Sequence, residues 1–224
     1  MPPIRPLRAL IACVLLTGLP ACLDATAGGE GSLFAVVSTL SRPIGDPLPQ
    51  APIAGGEILV KGPEGYCVDG SSLDNRATGG FAMLASCYVM TGGKSGPQVA
   101  PVVMTVAASP LDPAVGVPSR DALAGAFAPA PVLARSQVRG VTLVHLGTGG
   151  DTRVPQADPR HWRGAMELNG FLVLFAVYGP QNSTEAGKGG SALLLELADA
   201  LRAAKPAPGP ERTAQAPAPR GVLQ

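Results

Sequence analysis

Charge is scarce in this chain. Only 15% of its 224 residues are Asp, Glu, Lys or Arg, against about 25% in ordinary soluble proteins. With 17 basic and 16 acidic residues the net charge is +1, so there is no basic field to attract a polyanion. Aromatic residues are as few, at five Phe, three Tyr and one Trp, and the stacking surfaces of a nucleic-acid binder are missing with them. Nucleic acid is therefore excluded as a partner. The shortage of charge also excludes a coiled coil and a charge-driven disordered chain. No apolar run approaches the ~20 residues that a membrane-spanning helix needs, which excludes an integral helical membrane protein. The excess is in Gly and Pro, 29 and 24 residues, together twice the usual share of about 12%. Apolar residues still make up 46%, enough for a modest globular core.

Residues 1–22 divide into three zones: Arg5 and Arg8, then an apolar stretch from Leu7 to Leu19, then small residues before a cysteine. That order is the pattern of a secretory signal. Leu19, Pro20, Ala21 and Cys22 resemble the lipobox of bacterial lipoproteins, with Pro20 where Ala or Ser is usual. The resemblance implies cleavage before Cys22, acylation of that cysteine, and anchoring to a cell-envelope membrane with the domain facing the periplasm. Cleavage after Ala25, Thr26 and Ala27 is the alternative, and it would release a soluble periplasmic protein.

Four cysteines are present. Cys13 leaves with the signal and Cys22 is the lipidation candidate, so Cys67 and Cys87 remain as a pair in an oxidising compartment. A disulfide is their natural use. Their spacing matches neither a Cys-x-x-Cys redox motif nor a zinc site, and no metal or other cofactor is expected.

The expected organisation is a signal peptide at 1–21, a lipidated, flexible and Pro-rich tether at 22–52, one α+β domain at 53–205, and a disordered Pro/Ala-rich tail at 206–224. Within the tether, Leu33 to Leu40 is an apolar octet that reads as a strand or a docking segment. Within the domain, Glu57 to Lys61 and Tyr66 to Asp69 flank the turn-forming Gly62, Pro63, Glu64 and Gly65. Phe81 to Met90 and Val102 to Ala107 read as strands. Ser119 opens a short helix carrying Leu123 and Phe127, with Pro129 as its stop. Val138 to Leu146 resumes strand character.

Asn169-Gly170 is the strongest local signal, because a type I′ hairpin turn needs two positive φ angles and these residues supply them. A two-residue loop pairs Leu168 with Phe171, Met166 with Val173, Gly164 with Phe175 and Trp162 with Val177. The second strand is apolar on both faces, so it belongs inside the sheet and the first nearer an edge. Ser191 then opens a helix with Leu194, Leu197 and Leu201 on one face. The result is a mainly antiparallel sheet with a long Asn-Gly hairpin, covered by two helices. This order of elements resembles that of PsbP-like α/β/α accessory proteins over about the last two-thirds of the chain. It carries no functional residue across.

Catalytic motifs do not emerge. Thr91 to Gly96 contains Gly-Lys-Ser but lacks the leading glycine of a phosphate loop, since Tyr88 stands there, and a surface turn accounts for it. His145 and His161 fall at strand ends, where hydrogen-bonded histidines are common. Asn182, Ser183 and Thr184 read as a loop. Asp69 to Arg76 is a polar stretch that either rings a pocket or forms a turn. The unusual segment runs from Asp151 to Arg163: it holds Asp151, Arg153, Asp158, Arg160 and Arg163 and the sole tryptophan, Trp162. Arg and Trp are enriched in binding hot spots, so Arg153, Arg160, His161 and Arg163 form a candidate patch for an anionic ligand, a glycan or a protein. The hairpin alternation places Trp162 on the packing face and His161 with Arg163 on the other, as an exposed polar set. The reading that results is a non-enzymatic envelope lipoprotein acting as a binding or assembly accessory, its partners a membrane and an envelope protein or glycan. The alternative is a periplasmic enzyme of hydrolase type with a site assembled from dispersed Ser, Asp and His residues.

Overall fold

A computed structural model describes residues 45–205. Cys22, the octet 33–40 and the tail 206–224 lie outside the described residues. The fold is α+β, built on one antiparallel sheet of nine strands. In chain order the strands are β1 (Pro47–Leu48), β2 (Gln50–Ile53), β3 (Ile58–Lys61), β4 (Tyr66–Asp69), β5 (Asp74–Arg76), β6 (Gly79–Ser86), β7 (Val103–Pro110), β8 (Val132–Val138), β9 (Val141–Leu146), β10 (His161–Leu168) and β11 (Phe171–Tyr178). The helices are α1 (Cys87–Met90), α2 (Arg120–Gly125), α3 (Gly150–Arg153) and α4 (Gly189–Ala203). Across the large sheet the order is β1-β4-β6-β7-β11-β10-β9-β8, with β5 also paired to β6, while β2 and β3 form a separate two-stranded sheet.

The hairpin of β10 and β11 has the expected register, from Trp162 opposite Val177 to Leu168 opposite Phe171. Asn169 at φ 52° and Gly170 at φ 78° make its turn. Gly164 lies under the Phe175 ring, which a Cβ on Gly164 would meet at 2.5 Å. A larger side chain there would displace the ring. As expected, β10 lies nearer an edge of the sheet than β11, although it is not itself the edge, because it also pairs along its other side with β9. Its outer neighbours are the hairpin of β8 and β9, whose two-residue turn is Arg139 at φ 49° and Gly140 at φ 73°.

Alternation along the strands sends successive side chains to opposite faces. On one face Leu143, Trp162, Met166, Phe175, Val106 and Leu84 pack under Leu194, Leu197 and Leu201 of α4 and under Ile58 and Val60 of the small sheet. On the other face Val144, Leu146 and Ala165 pack under Leu123 and Ala124 of α2. Ser119 caps α2 by accepting a hydrogen bond from the Ala122 amide, a contribution of about 1 kcal/mol.

Two expectations near the ends of elements change. The tether expected to run to residue 52 contains β1 and β2, so ordered structure begins before Ile53. Proline fits in both because each is an edge strand, where a missing N–H removes no ladder bond. The strand expected to run to Met90 stops at Ser86, whose hydroxyl accepts from the Val89 amide and starts α1. Cys67 of β4 and Cys87 at the start of α1 are joined by a disulfide, with Cα atoms 5.0 Å apart and 20 residues between them in sequence. Closing a loop of this length stabilises a fold by roughly 3 kcal/mol in the chain-entropy account. No described helix is long and apolar enough to cross a membrane.

Candidate functional site

At the end of the sheet where β10 begins, residues from four segments enclose a pocket of about 250 Å³. The segment between α2 and β8 contributes Phe127, Pro129 and Ala130 as an apolar wall. The end of β9 and the turn after it contribute Leu146, Thr148 and Gly149. Arg153 comes from α3, and His161 and Arg163 from β10. Three of the four patch residues proposed from sequence therefore converge.

The loops approach closely enough to require glycine. Gly149 has φ 92°, and a Cβ on Gly150 would sit 2.2 Å from the Asp158 carbonyl oxygen. The Gly150 amide donates to the Pro159 carbonyl at 2.8 Å, pinning the turn after β9 to the segment before β10. A glycine pair thus brings α3 and Arg153 beside His161.

His161 and Arg163 are not the exposed polar set expected from alternation. His161 is 3% exposed and stacks on Tyr178, with ring centroids 5.2 Å apart. Its Nδ1 lies 3.2 Å from the Pro159 carbonyl, a contact the ring makes by donating its N–H. Burial, reinforced by the Arg163 guanidinium and by the charges of His145 and Arg153, pushes its pKa down to about 3. The ring is neutral at any physiological pH. Arg163 is half-buried, and its guanidinium carbon lies 5.1 Å from the centre of the Phe127 ring and 5.3 Å from that of Tyr178. Its Nε is buried with no hydrogen-bond acceptor. Burial also lowers its pKa, but a guanidinium keeps its charge. The alternation rule assigned the face correctly; it missed that α2 and its following segment fold over that face.

Arg160 stands apart from the pocket lining. Its Nε donates to Asp158 Oδ1 at 2.9 Å and its Nη2 to Oδ2 at 2.8 Å, a two-pronged pair. The Asn182 amide donates to the same carboxylate at 2.7 Å. The Arg160 side chain is 39% exposed whereas that of Asp158 is 5% exposed, so this ion pair closes the loop and leaves the Arg160 guanidinium at the surface. The Arg160 hydrogen bonds hold the Asp158 carboxyl well below the usual carboxylate range, against the opposing effect of burial.

Trp162 belongs to the core, on the packing face that the hairpin alternation assigned to it. It is 6% exposed, stacks on His145 at 4.5 Å, and donates from Nε1 to the Gly187 carbonyl at 2.7 Å. Gly190 admits the indole, since a Cβ there would meet it at 2.5 Å. His145 Nε2 bonds the Ala186 carbonyl at 2.9 Å, and burial lowers its pKa.

The other polar stretches serve the fold. Asp69 accepts from Gly45, from the Ser71 amide and from the Ser71 hydroxyl, and Ser72 bridges Asp69 to the Met83 amide. Those contacts make Asp69 to Arg76 a folded turn. Thr91 accepts from the Ser95 amide, closing the Gly-Lys-Ser segment as an exposed loop. Among the described residues no group of three or more His, Cys, Asp and Glu side chains is placed to hold a metal.

What the pocket offers is two guanidinium groups, one neutral imidazole and a hydroxyl over an apolar wall, with no carboxylate among the described lining residues. In chemical terms that set suits an anion. The apolar wall is not legible in the sequence, because Phe127 and Leu146 have the pattern of packing residues; the turn at Gly147 to Gly150 is the one local sign of the close loop approach. Compared with known proteins, the chain matches no family model, no curated protein and no solved structure.

Proposed function

We propose that this is an exported protein of the cell envelope, lipidated at Cys22, whose domain acts as a binding or assembly accessory through the pocket lined by Arg153, His161 and Arg163. The observation that carries the binding half is the convergence of two arginines on a cavity with an apolar wall and, among the described residues, no lining carboxylate. Both histidine rings engage backbone carbonyls, which holds the rings in place. The anchoring half rests on the lipobox-like sequence ending at Cys22, since two or three acyl chains hold a protein firmly at a membrane.

Fractionation and crosslinking of the expressed full chain test both halves together. Wild-type protein is expected in the membrane fraction, and Cys22→Ser in the soluble fraction. Crosslinked partner recovery is expected to fall for Arg153→Gln while anchoring is retained. Intact mass showing a mature chain that starts after Ala27 would overturn the anchor, and undiminished recovery with Arg153 replaced would overturn the contact site.

A further inference from the structure

Resting on that binding role, we infer that the pocket takes a carboxylate attached to a compact apolar group, either a small free acid or the C-terminal residue of a polypeptide. Both sources present the same chemistry: a planar anion beside a hydrophobic body.

Geometry supplies the anion half. The guanidinium of Arg163 is flanked by the Phe127 and Tyr178 rings, at 5.1 and 5.3 Å from their centres. With aromatic neighbours near its carbon, its N–H donors are left for acceptors lying in its own plane. Its buried Nε has no such acceptor from the protein. Leaving a buried donor unmade is costly, and a charged donor more so. The Nη donors of the same guanidinium are the part left to a ligand in the pocket, and their fork matches the two oxygens of a carboxylate. Arg153 lines the same cavity and adds a second positive charge. Its field and that of Arg163 both act on His161, which places the three groups within electrostatic reach of one another.

Shape supplies the apolar half. Pro129, Ala130 and Leu146 form a wall without hydrogen-bonding side chains. The volume, about 250 Å³, lies just below the ~300 to 1,000 Å³ of sites for drug-sized ligands. A single ring or one apolar side chain with its carboxylate is the matching size. Free phosphate satisfies the cations but leaves the wall unfilled, which is why the carboxylate is favoured.

The test is calorimetric titration of the full chain in detergent with four probes: phenylacetate, phenylacetamide, inorganic phosphate, and an acetylated tripeptide ending in Phe with a free carboxylate. Phenylacetate or the tripeptide is expected to bind, and phenylacetamide to bind at least about tenfold more weakly, a loss of about 1.4 kcal/mol. Binding of phenylacetate identifies the small acid as the source; binding of the tripeptide alone identifies a polypeptide C-terminus. Arg163→Met, which keeps the length and the apolar contacts, is expected to abolish the signal, and Arg153→Gln to weaken it several-fold. Equal binding of acid and amide, stronger binding of phosphate than of either acid, or no binding of either acid up to about 10 mM, an affinity weaker than the ~4 kcal/mol of a millimolar complex, would overturn the inference. None of these outcomes depends on the crosslinking result, so the binding role and the ligand class can fail separately.

Discussion

Two histidines stack on two aromatic rings where β10 begins, one pair on each face of the sheet. On the α4 side His145 lies on Trp162 at 4.5 Å, and both bond to carbonyls of the segment leading into α4. On the α2 side His161 lies on Tyr178 at 5.2 Å, but there Arg163 and Arg153 join it around an open pocket. The local chemistry of the two pairs is nearly the same. What differs is the cover: a long helix with four buried leucines on one face, a six-residue helix and a loop on the other. A stack that is fully covered is core, and the same stack beside a gap and two cations borders the candidate site. A charge retained near a core, with its buried Nε left unpaired, singles out this face as the place to look for a ligand.

The largest effect expected from breaking this contrast is on the covered face. Trp162→Ala removes a buried indole and its hydrogen bond, and denaturant titration is expected to show a loss of roughly 3 to 5 kcal/mol. A loss under about 1 kcal/mol would mean that the helix-covered face is not the core.

Acid distinguishes the faces next. The His161 pKa is pushed down to about 3 in the folded protein from an ordinary 6.5. Above pH 6.5 neither state carries the proton, so stability is at its full value. As pH falls below 6.5 the unfolded chain takes up the proton first, and stability drops by about 1.4 kcal/mol per unit towards pH 3, up to roughly 4 kcal/mol. His145 works in the same direction. Asp158, held low by Arg160, adds a further loss only below about pH 4. Denaturation curves between pH 7 and 4 are expected to slope for wild type and to flatten for His161→Phe, which keeps the stack on Tyr178. An unchanged slope in that variant would show that His161 is not a buried neutral ring.

Arg163→Met sharpens the comparison with a small change. Loss of two ring contacts, each worth ~0.5 to 2 kcal/mol, is offset by removing a half-buried charge whose Nε has no partner. Thermal unfolding is expected to shift by no more than about 1 kcal/mol in either direction. A large destabilisation would make Arg163 a structural residue. Smaller still is Arg160→Ala, expected to leave the fold intact and to move the Asp158 titration upward, as read by side-chain carboxyl NMR.

Much of the α4-covered face was legible in the sequence, because local patterns determine it. Asn169-Gly170 dictates a turn, the turn dictates the register, and the leucine spacing of α4 dictates what lies above. The disulfide followed from the cysteines left once Cys13 and Cys22 were set aside. The other face was less legible for physical reasons. β8 is an edge strand with exposed residues on both sides, so it carries no alternation, and its turn places Arg139 in a left-handed conformation that arginine does not advertise. Without β8 and the loop preceding it, nothing announces that Arg163 and His161 are covered. The candidate patch stood out by composition, and the hairpin alternation set Trp162 apart from it; the gathering of Arg153, His161 and Arg163 around one pocket depends on the long-range pairing of β9 with β10.

The contact site proposed above is the open end of the α2 face, and not the molecular surface at large. A photo-crosslinking residue at Thr148, in the pocket lining, tests it against the same residue at Val115, an exposed position elsewhere. In intact cells a specific adduct is expected from Thr148 and not from Val115, and is expected to disappear when Arg153→Gln or Arg163→Met is added to the Thr148 variant. The same adducts from both positions, or an adduct from Thr148 that survives loss of both arginines, would contradict the account.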